Sequence, residues 1–388
     1  MLNYGTKFSF ASDKSSQVYH SLREHDWSIS NSYSKLDEYV YDLYTGFSKS
    51  FSDNLSVNAS LTGEYYKHKE IDYWSLFPMM EITYRAHPSH ILQLSVSSDK
   101  TYPSYWEMQN TVSYLNGYTE IQGNPDLRPS RLYSAQLNYI LKNKYIFTLY
   151  ANYIDNNFNQ LPYQSSERLV LIYKTLNFDY SSKLGLNVMI PFKAGSVLDS
   201  RLTLNGYYDK MKCDNYHDIS FNKDNLAFYA ELNNTFNISS KPTIKAEVSG
   251  SYITRNIQGP MTISSMYNVD AGLKWISPNG KAEISLKEDD MFNSWVPKDL
   301  NLQYKTQDLH MRMIPDSRRV SLSFIYKFGD FKAKEHKRWI VPDSGNKSQW
   351  SILRFQPIFR WGDIKLPLKG RTKMRLMFIA DQAGNFPY

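Results

Sequence analysis

Hydrophobic residues recur at every second position through most of this chain. At 55–65, Leu55, Val57, Ala59, Leu61 and Tyr65 fall on one face, and Ser56, Asn58, Ser60, Thr62 and Glu64 on the other. Period 2 is the period of a strand, not of a helix. At 133–141, Tyr133, Ala135, Leu137, Tyr139 and Leu141 alternate with Ser134, Gln136 and Asn138, and at 145–153 Tyr145, Phe147, Leu149, Ala151 and Tyr153 share a face. The pattern returns at 184–192, 202–208, 226–236, 244–252 and 267–275, and closes with Val320, Leu322, Phe324, Tyr326 and Phe328. Two kinds of connection alternate between these runs. Short turns fall at 52–54, 87–90, 142–144, 193–196, 239–242 and 277–280; long polar loops fall at 12–38, 67–74, 100–129, 156–166, 210–223, 255–262 and 294–306. About 14 strands of about 10–13 residues result, long enough for a tilted crossing of a bilayer, which takes ~9–11. Short turns at one end and long loops at the other are the layout of an outer-membrane barrel. The expectation is an all-β, antiparallel transmembrane β-barrel over residues 1–329.

Composition sharpens this. The chain has 31 Tyr and 20 Phe with a polar average hydropathy, as a barrel needs with its interfacial aromatics and polar lumen. Tyr65, Tyr66, Tyr139, Tyr145, Tyr153, Tyr207, Tyr208, Tyr252, Tyr267 and Tyr326 sit near strand ends, where an aromatic girdle lies. No apolar run approaches the ~18 residues of a transmembrane helix, which excludes a helical membrane protein. A soluble sandwich or propeller would also alternate, but shows neither the strand length nor the Tyr placement. One cysteine, Cys213, excludes a disulfide framework. The net charge of +7 belongs to the tail: residues 330–388 hold 12 Lys+Arg and 5 Asp+Glu, leaving 33 of each sign elsewhere. The first residues, MLNYGTKFSFAS, read as a strand and not as a signal peptide. The chain is therefore expected to begin inside a fold.

YPSYWEM (102–108), followed by EIQGNPDLRPS (120–130) and a Tyr-rich strand, resembles the TonB-dependent receptor pattern. The wider series LYTGFSKSF (43–51), LTGEYY (61–66), WSLFPMMEITY (74–84), LQLSVSSDKTYPSYWEM (92–108), LKNKYIFTLYANY (141–153) and VSLSFIYKFG (320–329) resembles the outer-membrane β-barrel family of Bacteroidetes related to those receptors. The resemblance implies a 22-strand barrel of which the last 14 strands are present, with the plug absent. It also implies ligand capture by external loops and plug displacement by a TonB-type energy-coupling complex. Expected partners are outer-membrane lipid, a plug domain, that complex and a ligand that the sequence does not identify; no nucleic acid is expected. After residue 329 the chain departs from the family, and a disordered or frame-shifted tail is expected there.

The motif loop also reads chemically. Pro125 and Pro129 fix φ and push the preceding residues to extended conformations, while Gly123 and Asn124 admit a tight turn. The motif residues are Tyr102, Pro103, Ser104, Tyr105, Trp106, Gly123, Asn124, Pro125, Leu127 and Pro129, with either a structural or a ligand-facing role. KCDNYHD (212–218) offers Cys213, Asp214, His217 and Asp218 but no zinc spacing, and reads as a solvated loop. KEDD (287–290) reads as rim or lumenal charge. Glu64, Glu231, Lys245, Glu247, Lys274, Lys281 and Glu283 point inward, where cross-strand pairs or plug contacts are expected. There is no nucleophile elbow, phosphate loop or His-Glu-x-x-His. No catalytic, metal or cofactor residue is assigned, and the alternatives are a barrel-based enzyme or a soluble β-rich binding module.

Overall fold

The computed structural model describes residues 1–18, 32–69, 71–314 and 316–328, and the backbone of Arg375–Phe378. Fourteen strands form one antiparallel sheet in simple meander order, from Leu2–Gln17 and Ser32–Ser52 to Ala282–Asp289 and Arg319–Tyr326. The short strand Arg375–Phe378 adds in parallel to the last of these. The sheet is open: Leu2–Gln17 does not pair with Arg319–Tyr326. Apart from those four residues, the tail lies outside the described residues.

The register explains the two faces. Cross-strand partners Val57, Ile82, Leu94, Leu137, Leu149 and Leu186 make one apolar row over six strands. Next to it, Thr83, Gln93, Asn138, Thr148, Asn187 and Asn205 make a polar row on the opposite face. Leu43, Leu61, Leu76, Leu137, Leu149, Leu184, Leu226, Phe228 and Leu273 are exposed, all on the apolar face. So large an aligned apolar band is unstable in water and matches hydrocarbon. On the polar face hydrogen bonds run across strands, as from Thr148 Oγ1 to Asn138 Oδ1 (2.7 Å) and from Tyr150 OH to Asn205 Oδ1 (3.0 Å). Lys274 pairs with Glu283 at 2.5 Å.

All six short turns are present. The long connections differ from expectation. At 67–74 and 210–223 there is no long loop: strands continue to His68 and Tyr216 and restart at Ile71 and Ile219. The chain reverses at residues that accept positive φ, Lys69 (52°) and His217 (54°). Polar side chains outside the bilayer broke the hydrophobic alternation without ending the strands. Two adjacent tyrosine pairs also split. Tyr65 and Tyr208 face outward, whereas Tyr66 and Tyr207 are buried on the polar face, since neighbouring strand residues cannot share a face.

One interruption lies in the wall itself. The Ile71–His87 and His90–Thr101 strands pair only from Met80↔Val96 to His87↔His90. Two positions further towards the loop end, the register would set Pro78 opposite Ser98. The Pro78 carbonyl accepts the Ser98 hydroxyl at 2.8 Å, so Pro78 directs its backbone polar side at that strand and has no N–H to offer it.

Candidate functional site

The apolar core lies beyond the barrel, in its external loops. Two four-stranded sheets form there: Phe158–Gln164, Leu171–Asn177, Thr119–Gln122 and Val112–Asn116; and Asn256–Gln258, Met261–Ile263, Asp299–Tyr304 and Gln307–Arg312. Leu161, Tyr163, Ile172, Phe178, Met261, Leu300 and Leu302 bury against Cys213, Tyr216, Ile219 and Phe221 at the tip of the Leu198–Tyr216/Ile219–Ser240 hairpin. The two sheets are also joined through one amide. Gln307 is buried; its Oε1 accepts from the Gln164 N–H (2.7 Å) and its Nε2 donates to the Gln164 carbonyl (2.9 Å), as a neighbouring strand would. These loops thus form one cap.

This corrects in part the reading of 212–218 as solvated: Cys213 and Tyr216 are buried and His217 half-buried, while Asp214, Asn215 and Asp218 are exposed. Burial pushes the Cys213 thiol up to about 11 and keeps it an inert core group. His217 stacks on Tyr163, with ring centroids 4.0 Å apart. Burial, then nearby Lys174, brings its pKa down to about 4. The neutral ring is therefore the form that folds. Between the ordinary value near 6.5 and 4, an unfolded cap binds a proton that the folded cap does not, so cap stability falls as pH drops through that window. With screening at this half-buried site the loss is about 1–2 kcal/mol. Hydrogen exchange over 156–179 and 205–225 should accelerate between pH 7 and 4.5, and His217→Asn should flatten the trend. An unchanged pH profile in His217→Asn would remove His217 from the account.

The motif residues form a clasp. Ser104 donates its N–H (3.0 Å) and hydroxyl (2.6 Å) to Glu107 Oε2, and Glu107 Oε1 accepts from Thr175 (3.0 Å). Asn124 is buried. Its side chain donates to the Thr175 carbonyl (2.9 Å), and its N–H donates to the Glu107 carbonyl (2.6 Å). Asn177 holds the Arg128 N–H (2.9 Å) and carbonyl (2.8 Å). Leu127 and Met108 pack on Leu36 of the wall, with Tyr105 and Phe158 beside them. Pro103 and Pro129 are buried, Pro125 is half-buried and Trp106 is exposed. A Cβ on Gly123 would overlap the Gln109 carbonyl oxygen. Gly123→Ala is therefore expected to open the clasp, exposing 104–130 to protease at least tenfold faster while the barrel still shifts on heated gels. Equal cleavage of Gly123→Ala and the parent would contradict that role.

Tyr102 reaches into the wall beside the Pro78 interruption. Its hydroxyl donates to Glu64 Oε2 (2.9 Å), and Glu64 Oε1 accepts from Lys100 Nζ. That ammonium lies 4.5 Å from the Tyr66 ring centroid, 4.8 Å from Tyr73 and 5.1 Å from Tyr102. Three aromatic faces and a carboxylate compensate its burial. Sequence reading had marked Glu64 as inward and Tyr102 as motif; Lys100, 36 residues from Glu64, carried no local signal.

Two further carboxylates organise the cap. Burial would raise the Asp290 carboxyl, but the Ser294 N–H (2.9 Å), the Ser317 hydroxyl and the Trp295 N–H (2.9 Å) hold it below the usual range. Burial is likewise outweighed at Glu120 by Arg168, whose two guanidinium nitrogens donate at 2.9 and 3.1 Å. Asp290 also accepts from the Ser294 hydroxyl (3.2 Å) and Glu120 from the Gln122 amide (3.0 Å), so each carboxylate is taken up by several donors. Among the described residues no three His, Cys, Asp or Glu converge as metal ligands.

A lipid-facing band, a polar inner face and a loop cap define an outer-membrane β-barrel. The chain belongs to the outer membrane protein beta-barrel family, whose model matches residues 1–326, and its place is the outer membrane. No curated protein matches it. It is similar to the FrpB iron transporter of Neisseria meningitidis (F5-1 variant, apoprotein form), with 13% identity over 82% of this chain and 52% of that one, at a TM-score of 0.49. The ferric enterobactin receptor PfeA of Pseudomonas aeruginosa gives 11%, 81%, 51% and 0.47. The siderophore receptor PirA of Acinetobacter baumannii gives 12%, 67%, 42% and 0.43. The chain spans about half the length of these proteins or less.

Proposed function

We propose that this chain is the wall and external cap of a TonB-dependent-receptor-like protein that binds a ligand outside the cell and admits it across the outer membrane. The observation that supports this best is the cap: a folded binding-sized structure, clasped to the wall by the 102–129 loop, on a barrel with a polar inner face. Uptake of this kind needs a plug and a TonB-type energy-coupling complex, which we assign as partners. Within the cap the motif residues divide by exposure. Asn124, Leu127, Pro103 and Pro129 hold the loop, and Trp106 is the one that meets ligand. The reading makes the chain a non-enzyme, in keeping with the barrel family it belongs to and with the structural bonds in which Asp290 and Glu120 are engaged.

The test is uptake by cells carrying the gene, using labelled siderophores, glycans and peptides. One class should enter in a manner abolished by a protonophore, and Trp106→Ala should reduce its binding about tenfold with the barrel intact. Chemical conversion of a ligand at the surface without entry would favour a barrel-based enzyme. Recovery of the chain in the detergent-free soluble fraction would favour a soluble binding module.

A further inference from the structure

The polar face of the first strands holds more negative charge than its neighbours neutralise. Across Ser32–Ser52, Leu55–His68 and Ile71–His87, Asp42, Glu64 and Ser75 are register partners in one row. Tyr66 and Tyr73 are partners in the next row, and Glu38 and His68 in the row beyond. All lie on the same face, under the 102–129 clasp. Glu64 has Lys100. Glu38 and Asp42 have no ion-pair partner within contact distance among the described residues; at longer range Asp42 interacts with Lys7, its register partner, and then with Lys100, and Glu38 interacts with Lys100.

The polar atoms around these carboxylates are unpartnered too. Asp42 Oδ1, Tyr66 OH, His68 Nε2, Tyr73 OH and Ser75 Oγ are buried without a hydrogen bond among the described residues. Tyr66 and His68 are each only 1% exposed and Ser75 3%. His68 Nδ1 lies 3.2 Å from the Asp37 carbonyl. A carbonyl only accepts, so Nδ1 carries the proton and Nε2 presents a lone pair. The inventory is therefore rich in acceptors: two carboxylates and an imidazole lone pair, with three hydroxyls that accept as readily as they donate. Leaving such groups buried and unmade costs about 1–3 kcal/mol each. The complement is a group with several donors, no acceptor and positive charge. Ammonium and guanidinium are those groups, and the wall already holds one ammonium, that of Lys100, against Tyr66, Tyr73 and Tyr102.

We propose that the strip of inner wall running from Asp42 and Ser75 past Tyr66 to Glu38 and His68, about 13 Å long, binds ammonium or guanidinium groups brought by a second molecule or segment. The site goes beyond the uptake reading and does not depend on it. Charge, hydrogen bonding and aromatic faces act together there: the carboxylates supply attraction, His68 and the hydroxyls fix direction, and Tyr66 gives a face for the cation.

The experiment is calorimetric titration of the full chain, folded in detergent, with arginine ethyl ester, spermidine and a short arginine-containing peptide. Saturable binding is expected, weakened about tenfold by the Glu38→Gln, Asp42→Asn pair and by high salt. Heat-modifiable gel migration verifies that each variant is folded. If the pair does not fold, either single amide variant should still weaken binding about threefold. Lys100→Met, which removes the resident cation, should strengthen it. Binding of the ester or spermidine assigns the site to a free small cation, and binding of the peptide alone assigns it to a polypeptide side chain. Absence of saturable binding by all three, or binding indifferent to the carboxamide variants, overturns the proposal. Failure of ligand uptake in cells with this binding intact would count against the transport reading alone.

Discussion

Replacing Leu149 by arginine is expected to cost about 2–4 kcal/mol of folding free energy in lipid, and the same change at Asn187 about 0–1. Leu149 lies mid-strand in Tyr145–Asp155, between Leu137 and Leu186 in the apolar row. If that row faces hydrocarbon, the guanidinium must snorkel or drag water into the bilayer, and the measured midplane penalty for transmembrane barrels is of that size. Asn187 is in the adjoining polar row, between Thr148 and Asn205, where a cation meets a wet lumen. Urea titration of both variants in vesicles measures the difference. Equal costs would mean that the two faces see the same solvent.

Truncating Phe178 to alanine is expected to loosen the cap by about 3–5 kcal/mol. Phe178 is fully buried. It packs edge-on to Tyr216 and Phe221, with ring centroids 6.3 and 5.1 Å away. It thereby links the 156–179 loop to the hairpin tip. Loss of the ring leaves a cavity where three connections meet, so all three should open together. Hydrogen exchange should rise in 156–179, 205–225 and 255–312 while the wall, held by its own ladders, keeps its protection. Local opening of 156–179 alone would show that the cap is a set of independent loops.

The wall was legible in the sequence because the bilayer enforces period 2 on every strand that crosses it. Leu55 to Tyr65 and Val320 to Phe328 alternate with one exception each, Gly63 on the apolar face and Ile325 on the polar one, and each short turn is marked by Pro, Gly, Asn or Lys. Outside the bilayer the constraint lapses. Residues 210–216 and 219–223 remain strand, yet Lys212, Asp214 and Asp218 give the stretch the look of a loop. The strands at 158–164 and 299–312 were missed for the same reason: short cap strands take their stability from packing on Tyr216 and Phe221, which no local window contains. Of the motif, Gly123 and the prolines signalled a fixed loop. Its partners Thr175 and Asn177 lie about 50 residues on, and nothing at 175–177 announces that role. Lys100 is the clearest limit. Its meaning comes from Pro78, which stops the ladder and lets a long side chain reach Glu64 across the gap.

The most direct test is a spin-label scan along 132–141 in reconstituted bilayers, with Cys213 replaced by serine. Each position is read by its access to oxygen, which favours lipid, and to a nickel chelate, which favours water. Oxygen access should peak at Tyr133, Ala135, Leu137 and Tyr139, and nickel access at Ser134, Gln136 and Asn138, alternating at every residue. Nickel access that is uniformly high along the strand would contradict the membrane barrel.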